Sequence, residues 1–435
     1  MRDLLLTAIV VTGCIWSLRR PWIGALMWTW LSLMNPHRYT YGFAFHAPLA
    51  MMCALCTFAG LVATRDRESP FKGTPVTLLA MFVLWMNLSW LAGLDPAEDY
   101  YQWSKVMKID LMIFVGLALM RTKQHILMLA CVTAASLALL GMKGGLFTIL
   151  HGGEYRVWGP AGSFIEDNNE FALSLVMTIP LLRFMQMQLQ AQRAKQVLTV
   201  AMVLCAAAAI GSHSRGALIA ILAMGTLLWW RGRGGLLGGM LIVLVGVVLV
   251  MFMPEEWTQR METIGHYEDD GSAMGRINAW WVAWNIALHY PFGVGFNAVR
   301  PELFAQYAPN PNSVLAAHSI YFQVLGSHGF IGLFIFVAMW ISTWRWAGKL
   351  RREAMQHAQS AWCADLASMC QVSLLGFAVG GTFLSLAYFD LPYCVMMMTV
   401  LARRWVASRA WEHEPPYTLD WLAQWRKRAP IAPVA

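Results

Sequence analysis

Charge is what this chain has little of: only 13% of its 435 residues are Asp, Glu, Lys or Arg, against about a quarter in an ordinary soluble protein. That shortage excludes a typical water-soluble enzyme, and a hydrophobic fraction of 58% excludes disorder. Repeats and low-complexity tracts are absent, so no solenoid or linker architecture is indicated. The sequence also lacks H-E-x-x-H, G-x-S-x-G, a Walker loop and a D-x-D pair, which removes the usual signatures of zinc hydrolysis, serine hydrolysis, nucleotide hydrolysis and sugar-nucleotide binding. The eight cysteines all sit inside apolar stretches, which argues against a disulfide framework. Cys53-Ala54-Leu55-Cys56 has no partner pair that would make it a metal site.

What is present is hydrophobic length. A helical span needs about 20 apolar residues, and mean hydropathy is +0.50. Stretches at 4–18, 21–34, 47–63, 75–92, 106–120, 126–142, 170–188, 197–212, 215–230, 236–253, 318–342, 363–386 and 391–402 read as spans. The expected fold is therefore an all-α polytopic membrane protein of about 12–13 transmembrane helices with a large helical periplasmic loop. Its parts are N-terminal helices over 1–253 with an outward loop at 143–169, the loop at 254–317, C-terminal helices over 318–402 and a basic cytoplasmic tail at 403–435. The first stretch has no small-residue cleavage site and is expected to stay in the membrane.

Alternating the loops puts Arg19/Arg20, Arg65/Arg67/Lys72, Arg121/Lys123, Arg183/Arg193/Lys195, Arg231/Arg233, Arg345/Lys349/Arg351/Arg352 and the tail from Arg403 on one side. That side holds 22 of the 32 basic residues. Lys and Arg mark the cytoplasm, so the formal charge of +8 reads as topology rather than as nucleic-acid binding. The opposite side carries Asp95, Glu98, Asp99 and Glu268-Asp269-Asp270, and faces outward.

Basic residues on the outward side run against this bias and invite a functional reason. Arg215, in Gly211-Ser212-His213-Ser214-Arg215-Gly216 between two apolar helices, suits bidentate phosphate binding beside a glycine that permits close approach. Snorkelling to lipid headgroups is the plainer alternative. His318 opens a span with Tyr321, Phe322 and Leu325 on its face; it suits proton exchange with a sugar hydroxyl, or merely ends a helix. The run from Glu154-Tyr155-Arg156 through Trp158 to Glu166-Asp167-Asn168-Asn169-Glu170 reads as a glycan-binding edge or as a helix cap by Asp167 or Asn168. Arg276 precedes a helix whose Trp280, Trp284 and Leu288 share a face, expected at the membrane interface. Arg276 can grip a lipid phosphate or pair with nearby acids. Arg260 and Arg300 carry less, and Glu268-Asp269-Asp270 alone does not make a metal site.

A Ser-Arg-Gly turn between spans, a Gly-Arg followed by a Trp pair, Pro291-x-Gly293-x-Gly295, and a loop closing on His-Ser-x-Tyr and His-Gly-Phe-Ile-Gly-Leu together resemble the O-antigen ligase and O-antigen polymerase superfamily. Trp158-Gly159-Pro160, Ser163-Phe164-Ile165, Asp167-Asn168-Asn169 and Ala387-Tyr388-Phe389-Asp390 resemble its branch of O-glycosylation ligases. Ser327 departs from that branch, in which Glu is expected before His-Gly. The resemblance implies transfer of a glycan from an undecaprenyl-diphosphate carrier to lipid A-core at the periplasmic face of a bacterial inner membrane. It implies neither metal nor other cofactor, with membrane lipids as the remaining partners. By the same resemblance, Arg215 and His318 are catalytic, and Arg215, Arg276 and Arg156 bind diphosphate. Tyr321, Asp390, Asp167 and Asn168 are possible supports. An O-antigen polymerase, a protein O-glycosylation ligase and, from another class, a polytopic transporter or flippase remain as alternatives.

Overall fold

The computed structural model describes residues 1–231 and 271–419. Fourteen α-helices lie among them. The first nine are α1 (Arg2–Arg19), α2 (Pro21–Met34), α3 (Leu49–Ala63), α4 (Thr74–Leu91), α5 (Pro96–Leu119), α6 (Lys123–Leu150), α7 (Asn168–Gln188), α8 (Gln192–Gly211) and α9 (Arg215–Arg231). After the undescribed stretch come α10 (Gly271–His289), α11 (Pro301–Tyr307), α12 (Ile320–Ala354), α13 (Ala361–Gly380) and α14 (Asp390–Ala407). No strand occurs among the described residues, and six of the helices are long and apolar enough to cross a membrane. The chain is an all-α polytopic membrane protein. Twelve of the thirteen apolar stretches are helical; the one at 236–253 lies outside the described residues, as do Arg260 and Glu268-Asp269-Asp270.

Helix starts follow local chemistry more closely than hydropathy does. α5 begins ten residues ahead of its apolar stretch, because the Asp95 carboxylate accepts from the N–H groups of Ala97 and Glu98 and Pro96 occupies the first turn. Thr122 caps α6 and Asp167 caps α7 in the same way. The bundle is built around α7, α13 and α14, whose residues are mostly buried, Pro180 of α7 included. α1 to α3 form a smaller flank around Leu6, Val10, Leu31 and Cys53. Its far side exposes Leu4, Leu5, Ile15 and Trp16, as a lipid-facing surface does. All eight cysteines are free.

Two ends result. At one, Arg403 pairs with Glu353 at 2.9 Å, Arg404 donates to the Leu117 and Lys72 carbonyls, and Arg121 pairs with Asp66 and Glu68. The loops assigned to the cytoplasm by charge thus meet there. The other end gathers the turns at 35–46, 92–95, 151–167, 211–215, 290–319 and 381–390.

α6 and α8 pack closely through Gly141, Gly144 and Gly145, the small-residue contact common between membrane helices. A Cβ on Gly145 would lie 2.7 Å from the Leu204 carbonyl carbon and 2.8 Å from its Cα, whereas one on Gly348 would meet only the Gln371 amide nitrogen at 3.4 Å. We expect Gly145→Ala to lower stability by about 1–3 kcal/mol and Gly348→Ala to leave it unchanged or raised. Thermal unfolding midpoints in detergent check this.

Candidate functional site

The site is organised by the loop ahead of α7. Within that loop the Gly159 N–H donates to the Glu166 carbonyl at 3.0 Å, the Gly162 N–H to the Glu166 carboxylate at 2.7 Å, and the Val157 N–H to the Gly211 carbonyl at 3.3 Å. The last bond lays Arg156 alongside the turn that leads into α9. From the other side, the Asn168 amide donates to the Ser212 carbonyl at 2.6 Å, and a His213 ring nitrogen lies 2.9 Å from the Gly153 carbonyl. His213 takes a left-handed backbone, φ 59°, which His tolerates better than most residues. So pinned, the turn delivers Arg215, half-buried, as the first residue of α9. Its neighbour Gly216 faces Phe383 and the Gly380 carbonyl, where a Cβ would make ordinary contacts at 3.5 and 3.7 Å.

One turn into α7, Glu170 is 7% exposed and its Oε1 stands 3.8 Å from His318 Nδ1. The same oxygen accepts from the Ser385 N–H at 3.4 Å. Glu170 Oε2 and Ser319 Oγ are buried with no hydrogen-bond partner among the described residues. His318 is partly exposed and is held at φ 42°, a conformation that surrounding structure must enforce. That enforcement comes from α10. Trp280 donates its indole N–H to the Ala317 carbonyl at 2.7 Å and stacks on Phe322, and Asn278 donates to the Asn310 and Ser313 carbonyls. The tryptophan face expected at a membrane interface is therefore turned inward only at Trp280, which stacks on Phe322; Trp284, edge-on to Phe330, is exposed, as are Trp281 and Leu288. Arg276 sits one turn ahead of Trp280 on that inward face.

The first turn of α7 thus joins two groups, Arg156, Asn168 and Arg215 on one side and Asp167, Glu170 and His318 on the other. Asp167 caps the helix, accepting from the Asn169 N–H at 2.8 Å. Two residues expected as supports stand apart. The Tyr321 hydroxyl donates to the Ala378 carbonyl at 2.9 Å, fixing α12 to α13. Asp390 accepts from Ser32 at 2.7 Å and borders a cavity lined by neither Arg215 nor His318. Arg300 is committed to Glu98 and Asp99, at 2.9 and 3.1 Å, and buried Ser327 receives the Ser89 hydroxyl on its carbonyl. Glu170 is the residue sequence reasoning did not assign. It lies three residues after an N-cap, where an acid reads as part of a capping box, and only the fold turns it toward His318.

Chemically, a carboxylate near Nδ1 orients an imidazole and leaves Nε2 to exchange a proton. A half-buried guanidinium at a helix N-terminus suits an anion, since the positive end of the helix dipole there adds to the attraction.

Residues 200–337 match the O-Antigen ligase family. The chain carries an O-antigen ligase domain. That domain contains Arg215, Arg276 and His318, and its match supports the O-antigen ligase superfamily as the chain's family. Residues 1–189 match a family of unknown function, so Arg156, Asp167 and Glu170 reach the ligase domain from a segment with no assigned role. None of the curated proteins matches this ligase-domain chain.

Burial pushes the Asp167 carboxyl up, but the neighbouring Glu170 carboxyl, the N–H groups of Asn169 and the nearby His318 outweigh it, so the group sits below its ordinary value. A lowered carboxylate contributes stability above its unfolded pKa and loses it as pH falls through the folded one. The α7 cap should therefore hold at neutral pH and loosen below the ordinary Asp range, about pH 4. Hydrogen exchange at Asn169–Phe171 should show faster opening on acidification, a response absent in Asp167→Asn.

Proposed function

We propose that the protein transfers a glycan from undecaprenyl diphosphate to lipid A-core at the periplasmic face of a bacterial inner membrane. The observation that carries this is the placing of His318 against Glu170, on the same helix turn that clasps the Arg215 loop, within an O-antigen ligase domain. The orientation rests on the basic loops gathering at the opposite end.

Arg215 and Arg276, with Arg156 beside the Arg215 turn, bind the diphosphate of the donor and stabilise the charge that grows on it. His318, oriented by Glu170, takes the proton of the acceptor hydroxyl. The hydroxyl oxygen attacks the anomeric carbon, the bond from that carbon to the diphosphate oxygen breaks, and undecaprenyl diphosphate leaves. A single displacement inverts the anomeric centre. Neutralisation falls to the arginines in this reading, with no divalent ion required. A polymerase or a protein O-glycosylation ligase would use the same donor chemistry and differ only in acceptor. A transporter would place its polar groups near the midplane, whereas these residues share one end of the bundle.

Arg215→Ala and His318→Ala should each lower transfer by about a hundredfold or more, measured with purified protein, carrier-linked glycan and lipid A-core. Full transfer by either variant overturns the roles given to that residue. Wild-type transfer to growing glycan or to protein, but not to lipid A-core, replaces the acceptor.

A further inference from the structure

A cavity of about 440 Å³, whose lining does not include His318, lies at the same end of the bundle. It is enclosed by the loop after α2, the outer turns of α5 and the Gly162–Phe164 turn, and Arg38, Lys105 and Lys108 border it together. None of the three has a carboxylate within ion-pair distance among the described residues. Two of them are held by rings instead. Lys105 Nζ stands 3.8 Å from the centre of the Phe164 ring, and the Arg38 guanidinium lies 5.1 Å from that of Phe45. The contrast with the other end is sharp, since Arg121, Arg403 and Lys72 are all paired there with acids.

A ring face orients a cation without neutralising it, so three positive charges remain toward the cavity. Two acids act on Lys105, Asp390 on the wall, which accepts from Ser32, and Glu166 behind Gly162, and three cations against two carboxylates leave the balance positive. The remaining wall includes Trp28 of α2 and Ile109 of α5, and the adjoining surface of α3 exposes Met51 and Leu55. An excess of cations beside an apolar flank matches an anionic head on an apolar tail. A compact trivalent charge set favours a phosphate monoester, which carries nearly two charges and three acceptor oxygens, over a zwitterionic head.

We infer that this cavity binds the phosphate monoester of a lipid, with Arg38, Lys105 and Lys108 as its ligands and the edge of α2, α3 and α5 against its chains. The inference does not depend on the transfer reaction. It does bear on it, because the Gly162–Phe164 wall continues within six residues into Glu170 of the His318 group.

Full-length protein in detergent is titrated with phosphatidic acid and with phosphatidylcholine of the same chains, and bound lipid is counted by native mass spectrometry. Phosphatidic acid should bind at least tenfold tighter. Arg38→Gln/Lys105→Gln/Lys108→Gln should lose at least that tenfold, the scale of one charge-assisted hydrogen bond. Arg38→Lys/Lys105→Arg/Lys108→Arg, which keeps all three charges, should retain it. Arg38→Gln alone, a loop substitution that spares the helices, should weaken binding several-fold even if the triple variant fails to fold. His318→Ala should leave binding unchanged, separating this site from the transfer site. Competition by millimolar inorganic phosphate would identify the phosphate alone as sufficient; its failure to compete, with phosphatidic acid still bound, would make the lipid essential. Equal binding of the two lipids, or unchanged binding in Arg38→Gln and in the triple variant, overturns the inference.

Discussion

The first turn of α7 is the constraint on which the candidate site depends. Asn168 reaches one way to the Ser212 carbonyl, Glu170 reaches the other way to His318 and the Ser385 N–H, and Asp167 caps the helix that carries both. The Asn168 and Glu170 contacts each cross a long stretch of chain, so the turn fixes three loops at once. Buried polar groups of this kind are costly when unsatisfied. That cost is visible in Glu170 Oε2 and Ser319 Oγ, which have no protein partner among the described residues. Unmet hydrogen-bonding capacity beside a partly exposed histidine is what a substrate hydroxyl can use.

Packing explains why such a turn holds its place in an apolar bundle. α7, α13 and α14 are buried along most of their length, and interiors at that density move little. Ser373 donates to the Met177 carbonyl and Tyr321 to the Ala378 carbonyl, ties that set α13 against α7 and α12. The outer helix α10 adds the remaining restraint by holding the backbone of 310–317 through Asn278 and Trp280. Residues distant in sequence thereby act on one histidine whose own backbone is held in an uncommon conformation.

Much of the fold was legible in the sequence because a membrane imposes few solutions. Apolar length gave the helices, and the one-sided distribution of Arg and Lys matches the way the loops at 65–72 and 121–123 gather with the helix ends at 345–354 and 403–404. The misplaced boundary of α5 has a clear cause. Glu98, Asp99 and Lys105 depress hydropathy over a turn that Asp95 and Pro96 nonetheless start. Within the site, Arg215 and His318 stood out because charge and imidazole are rare where they occur. Glu170 did not, since its contact is made across 148 positions of chain, between it and His318, and its spacing mimics a cap. Tyr321 and Asp390 were named because they belong to the motifs of the resemblance; helix geometry directs one to α13 and the other to Ser32.

The central claim is that Glu170 and His318 work as one unit. It is tested most directly by a double-mutant cycle, comparing initial transfer rates of Glu170→Ala, His318→Ala and the double variant in membranes with equal amounts of carrier-linked glycan. The account predicts strong non-additivity, the double variant being no slower than His318→Ala alone. Losses that simply multiply, or a Glu170→Ala protein as fast as wild type, would contradict it.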